Sequence, residues 1–175
     1  MMSHIPQHEI PDKRTQLTIF IAPTAAANIE VIRQRFNPAQ YDLIRAHITL
    51  CRDEELNQIT EIIANLQQLN GRSFEMELGK PIRFDQDRGI LIPVYDINGA
   101  FHNLRKQILT GIIETPKIMH PHITLIHPRN GYCNDDIAAQ ITKMALPKRV
   151  QCQNISLIEQ LSGGKWCIIQ QFELY

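Results

Sequence analysis

His47-Ile48-Thr49-Leu50 and His122-Ile123-Thr124-Leu125 are one tetrapeptide written twice, 75 residues apart. Each copy has the period-2 pattern of a β-strand, which sets histidine beside threonine on one face and isoleucine beside leucine on the other. Such a strand buries its aliphatic face and presents an imidazole next to a hydroxyl. The elements around the first copy follow from local pattern. Residues 17–22 read as an apolar strand, Pro23 and Thr24 open a helix with Ile29, Ile32 and Phe36 on one side, and Asn37 and Pro38 end it. The motif strand occupies 44–50. Asp53 caps a second helix whose apolar stripe is Leu56, Ile59, Ile62, Leu66 and Leu69, Asn70 and Gly71 end it, and a strand runs from Phe74 towards Phe84.

Adding 75 to these numbers reproduces the second half. A strand is expected over 92–97, a helix through Phe101, Leu104, Ile108 and Ile112, the motif strand over 119–125, and a helix over 134–145 that Pro147 stops. A strand over 149–159 and, after Gly163 and Gly164, a last strand over 166–174 complete the chain. The order of elements repeats although the residues outside the tetrapeptide do not, which is the mark of a structural duplication. The expected fold is α+β: a single bilobal domain over 17–175, preceded by a flexible N-terminal arm over 1–16 that holds His4 and His8. Its lobes come from repeats at about 17–85 and 89–174, related by a pseudo-two-fold axis. Each lobe is a small antiparallel sheet with helices on its outer face, and the motif strands meet across a cleft between them.

Charge narrows the partners. Lys plus Arg and Asp plus Glu are 18 each, so a protein that coats duplex DNA is not expected. No apolar run reaches the length of a membrane span, and the first residues lack the apolar core of a signal peptide. Cys51, Cys133, Cys152 and Cys167 have no C-x-x-C spacing and read as reduced thiols of a cytoplasmic, monomeric protein.

Two imidazoles facing one site can run concerted proton transfer, because the ring titrates near neutrality. One histidine takes a proton from an attacking oxygen while the other gives one to the leaving oxygen. At phosphorus these oxygens lie roughly in line, so base and acid belong on opposite sides, as lobes across a cleft would place His47 and His122. Thr49 and Thr124 would donate to the non-bridging oxygens. This chemistry calls for no metal and no cofactor, and the neighbouring 2′-oxygen of RNA makes 2′,3′-cyclic phosphates a natural substrate.

With these motifs the chain resembles the 2H phosphoesterase superfamily, whose members include 2′-5′ RNA ligase-like proteins and RNA 2′,3′-cyclic phosphodiesterases. The resemblance spans about 17–174. It implies catalysis by His47 and His122, with His47 as the acid and His122 as the base. Thr49 and Thr124 hold the phosphate, and the substrate is an RNA end or small nucleotide with a cyclic or 2′-5′-linked phosphate. The reverse reaction would join 2′-5′ RNA ends. Relatives carry a basic residue after the motif, in the form H-x-T-L-x-R; Arg52 stands at that offset in the first copy, whereas His127 takes it in the second and Arg129 follows.

Arg52 and Arg129 are therefore candidate substrate contacts, with Lys165 as a further cation beside a turn. Phe84, Tyr132 and Trp166 are candidates for stacking on a base, with core packing as the other reading of Phe84 and Trp166. Two alternatives to catalysis remain open at this point: a nucleotide-binding module that keeps the cleft, and a metal-binding protein that uses His120, His122 and His127. His102 is expected on a helix surface.

Overall fold

The computed structural model describes residues 12–175, so His4, His8 and the first part of the expected arm lie outside the described residues. Strand β1 (Lys13–Phe20) begins inside the stretch expected to be an arm. Its polar start is held because Lys13, Arg14, Thr15 and Gln16 pair with Leu161, Gln160, Glu159 and Ile158 of β8 (Asn154–Leu161). A partner strand here overrides local preference.

Helix α1 (Pro23–Phe36) buries Ala26, Ile29, Ile32 and Arg33. Asn37 ends it, but Pro38 opens a second short helix, α2 (Pro38–Leu43), where a loop was expected. Proline is well suited to that first helical position, where its missing N–H leaves nothing unpaired. Strand β2 (His47–Cys51) carries the first motif. The expected cap at Asp53 fails: Asp53–Glu55 is a 3-10 turn, and the Asp53 carboxylate instead accepts the Thr15 N–H at 2.7 Å. Helix α3 (Ile59–Gln67) starts only after that turn. The strand expected from Phe74 to Phe84 is broken into β3 (Phe74–Leu78) and β4 (Ile82–Phe84), both paired with β5 (Gly89–Tyr95). Then follow α4 (Ala100–Ile108), β6 (His122–Ile126) with the second motif, α5 (Asp135–Thr142), β7 (Arg149–Cys152), β8 and β9 (Trp166–Glu173).

The strands form two antiparallel sheets. The first runs β2-β1-β8-β9; in the second, β5 pairs with β4, β3 and β6, and β3 pairs with β7. The lobes are not the sequence halves, because the halves exchange strands. β8 and β9, from the second half, complete the sheet of β1 and β2, while β3 and β4, from the first, join β5 and β6. Each exchange covers a strand edge whose backbone groups would otherwise be left unpaired.

The motif strands lie in equivalent registers. His47 stands opposite Phe20 and Thr49 opposite Thr18; His122 stands opposite Pro93 and Thr124 opposite Leu91. Their other faces, Ile48, Leu50, Ile123 and Leu125, are fully buried in one core shared with Ile29, Ile62, Phe101 and Ile108. Cutting Ile48 or Ile123 to alanine is expected to lose about 2–5 kcal/mol. β2 packs beside β6, which brings the histidine ends of both motifs together.

In each half the preceding helix also holds the chain that leads into the motif strand. From α1, Arg33 donates to the Ile44 carbonyl at 2.6 Å and Glu30 accepts the Ala46 N–H. From α4, Arg105 donates to the Lys117 carbonyl at 3.2 Å and His102 contacts the Met119 carbonyl at 3.0 Å. His102, expected on a helix surface, is half-buried there and acts as a tie, with Asp96 on its other nitrogen at 2.7 Å. Cross-ties join the halves reciprocally: Arg105 reaches the Leu50 carbonyl at the end of β2, and Asn37 accepts the His127 N–H at 2.7 Å just past β6. No helix among the described residues is long and apolar enough to cross a membrane, and all four cysteines are free thiols.

Candidate active site

β2 and β6 each begin on a histidine, so both rings sit at strand ends where the lobes meet. His47 Nδ1 lies 2.8 Å from the carbonyl of Arg45, and His122 Nδ1 lies 2.9 Å from the carbonyl of His120. A carbonyl only accepts, so in both rings Nδ1 carries a proton, and Nε2 is the nitrogen that takes a proton when the ring is neutral and gives one when it is charged. The same i−2 tether in both halves thus sets the same tautomer twice.

The two rings line one cavity of about 410 Å³, together with Thr49, Arg52, His127, Arg129 and Trp166. Its wall is unequal. β1 and the turn after β2 give Arg14, Thr15, Gln16, Asp53 and Glu54, and Gln40 and Ile44 come from the α2 region; the second half gives His122, His127, Arg129 and Trp166. Thr124 shares the His122 face of β6, but it is half-buried and lies off the cavity wall, since the cavity is displaced towards the first sheet. Tyr132 is exposed and also lies away from the cavity. The cause is the turn after His127. Gly131 N–H bonds back to the His127 carbonyl at 2.8 Å and Asn37 Nδ2 holds the Asn130 carbonyl, so the chain reverses before Tyr132. Phe84 packs over Gly89 and is not on the wall.

Burial pushes the His47 imidazole down to about 4, against the opposing pull of the Arg45 carbonyl; Arg33, His122 and His127 add repulsion. The ring is half-buried and lines the cavity. His127 is also pushed down to about 4, by burial and by the nearby Arg129 and Arg14. Its tautomer is the opposite one. The Arg129 N–H donates to His127 Nδ1 at 3.1 Å, so the neutral ring carries its proton on Nε2 and offers a donor. The cavity therefore contains a donor ring beside two tethered rings.

Thr49 Oγ1 accepts a hydrogen bond from Gln16 Nε2, which directs the hydroxyl proton elsewhere. Arg14 lies over the Trp166 ring at 5.3 Å, and burial together with Arg129 lowers its pKa while Asp53 opposes the shift. Arg14, Gln16 and the donor role of His127 escaped the sequence reading, the first two because they fall in the expected arm. The alternation of Arg14, Gln16 and Thr18 with Thr15, Leu17 and Ile19 was the available signal of a longer strand. Among the described residues no group of three His, Cys, Asp or Glu side chains is placed to hold a metal ion. In the His120–His127 stretch one nitrogen of His122 and one of His127 are already bonded to the backbone.

A family model described as the 2′-5′ RNA ligase superfamily matches residues 21–164, which include both motifs. Among solved structures, E. coli LigT complexed with NADP+ is similar with a TM-score of 0.65 and 13% identity, over 93% of this chain and 98% of that one. LigT complexed with 3′-AMP gives a TM-score of 0.61 at 13% identity over 93% and 98% of the two chains. TT0787 of Thermus thermophilus gives 0.58 at 15% identity over 92% and 97%. At these identities the likeness is one of fold. No curated protein sequence matches the chain.

Proposed function

The chain belongs to the 2′-5′ RNA ligase superfamily of 2H phosphoesterases, and on that premise we propose that it is a metal-independent phosphodiesterase for 2′,3′-cyclic or 2′-5′-linked phosphates of nucleotides and RNA ends. The observation that carries this reading is the matched tether of His47 and His122, with both rings on one cavity. That LigT has been captured with 3′-AMP is in keeping with a nucleotide ligand here.

In hydrolysis of a cyclic phosphate, the base Nε2 takes a proton from water as the water oxygen bonds to phosphorus. The phosphorus–oxygen bond to one ribose oxygen breaks, and the acid gives that oxygen a proton. The product is a monoester, and the two rings end with their protonation exchanged. Burial favours neutral His47 in the free cavity, which fits His47 as the base and His122 as the acid. This reverses the assignment that the resemblance implied. Thr49, with its oxygen held by Gln16, turns its hydroxyl proton to a non-bridging oxygen, and His127 Nε2–H reaches another. Thr124 lies off the wall, so His127 takes the place of the second hydroxyl in this reading. Arg52, Arg129 and Arg14 balance the remaining charge, with Trp166 against the base. With a 5′-hydroxyl in place of water the same transfers join ends: its oxygen bonds to the phosphorus of a 2′,3′-cyclic phosphate, the bond to the 3′-oxygen breaks, and that oxygen takes the acid's proton, leaving a 2′-5′ link. A monomer in the cytoplasm goes with this reading.

The test is turnover of 2′,3′-cyclic nucleotides by purified protein, with and without EDTA, followed by phosphorus NMR. Hydrolysis to a monoester that EDTA leaves intact is expected. Nucleotide binding without turnover would make the chain a binding module, and loss of turnover in EDTA would bring back a metal.

A further inference from the structure

A second groove opens beside the catalytic cavity and shares Ile44 and Trp166 with it. It has a volume of about 200 Å³, and its wall adds Phe20, Tyr41, Arg45 and Lys165, with Asp42 as a carboxylate. The Arg45 guanidinium lies 4.4 Å above the Phe20 ring. Phe20 in turn meets the His47 ring edge-on, with centroids 6.2 Å apart. Aromatic faces and cations thus continue without a break from the catalytic histidine to the groove. Phe20, Lys165 and Trp166 flank the stretch 21–164 that matches the family, and Tyr41, Asp42 and Arg45 lie inside it.

We propose that this groove binds the nucleotide preceding the reacting end, so that the substrate is a single-stranded RNA oligonucleotide rather than a mononucleotide. This inference rests on the phosphodiesterase reading and names its substrate. Any base can stack on an aromatic side chain because every base has a π-face, and a nearby cation meets the linking phosphate. Tyr41 and Trp166 supply rings, and Arg45 and Lys165 supply the cations. A chain with no net charge has no general affinity for phosphate backbones, so the attraction is local to this wall. A groove this small admits one unpaired base and excludes a duplex.

The experiment compares kcat/KM for adenosine 2′,3′-cyclic phosphate with that for the dinucleotide ApA ending in a 2′,3′-cyclic phosphate. The dinucleotide is expected to be better by about tenfold or more. Tyr41→Ala and Lys165→Glu should each erase most of that preference while leaving mononucleotide turnover within about twofold. Lys165 is exposed, so K165E keeps the fold even if Y41A does not. Equal turnover of both substrates, or variants that slow both alike, would overturn the inference while leaving the phosphodiesterase in place. If neither substrate turns over, the phosphodiesterase reading falls, and fluorescence decides the groove alone. Trp166 is the sole tryptophan, so its quenching by ApA 3′-phosphate should give a Kd about tenfold below that for 3′-AMP; equal values would overturn the groove.

Discussion

The guanidinium of Arg105 forks over the carboxylate of Glu55, with nitrogen–oxygen distances of 2.6 and 3.1 Å and both side chains buried. Arg105 stands on α4 in the second half, whereas Glu55 follows the first motif strand. The pair therefore ties the two halves together one turn beyond β2, and the same arginine reaches the Leu50 carbonyl.

Arg105→Leu leaves a buried carboxylate unpaired and is expected to lower stability by about 3–5 kcal/mol, read by urea denaturation. Burial alone would raise the Glu55 pKa, but the hydrogen bonds from Arg105 and from the Arg52 backbone hold it below the ordinary value. A depressed carboxylate contributes stability that is present above its unfolded pKa and lost as pH falls through the folded one. The gap between wild type and variant should therefore be widest at neutral pH and close below about pH 4. A gap that does not change with pH would place the loss in packing instead.

His47 and His127, both pushed down to about 4 chiefly by burial, predict two pH effects. An unfolded imidazole binds its proton at about pH 6.5, so stability from these rings is present above that pH and lost between there and about 4. Melting temperatures measured from pH 8 to pH 4 should fall across that window, and less steeply in His127→Asn. With His47 as the base, the acid limb of kcat/KM should lie near pH 4 rather than near 6.5.

The tautomers give a prediction that needs no substrate. Nitrogen-15 spectra near pH 8 should show the proton on Nδ1 of His47 and His122 and on Nε2 of His127. Glutamine places an amide N–H near the position of Nε2, and asparagine places one near Nδ1. His127→Gln should therefore retain turnover better than His127→Asn, which is expected to lose about 10²-fold in kcat. Equal losses in the two variants would remove His127 from the reaction.

How much of this could be read from the chain itself depends on the range of each interaction. The motif strands, their buried Ile and Leu faces and the duplicated order follow from period-2 and period-3.6 patterning, and these are local signals. The exchange of β3 and β8 between halves leaves no such trace, because pairing partners far apart in sequence are set by which sheet edge is open. The same holds for β1: Lys13 to Gln16 look like an arm until β8 is beside them. Asp53 looked like a helix cap because its natural competitor, the Thr15 N–H, comes from another strand. Of the residues that line the cavity, His47, His122, Thr49, Arg52 and Arg129 were named from motif and offset, and Trp166 from its place near a strand end. Gln16 and the donor role of His127 depend on which backbone group each side chain meets. Thr124 and Tyr132 fall outside the cavity wall, because sequence offset cannot register a cavity displaced towards one lobe.

At the centre stand two rings, each tied through Nδ1, that exchange protons with a single phosphodiester. Single-turnover hydrolysis of a 2′,3′-cyclic nucleotide by His47→Ala, His122→Ala and the double variant tests this most directly. Each single change is expected to slow the chemical step by about 10²–10⁴-fold, and the double variant should be little worse than the poorer single one, as for groups that act as a unit. Turnover near the wild-type rate with either ring removed would contradict the pairing.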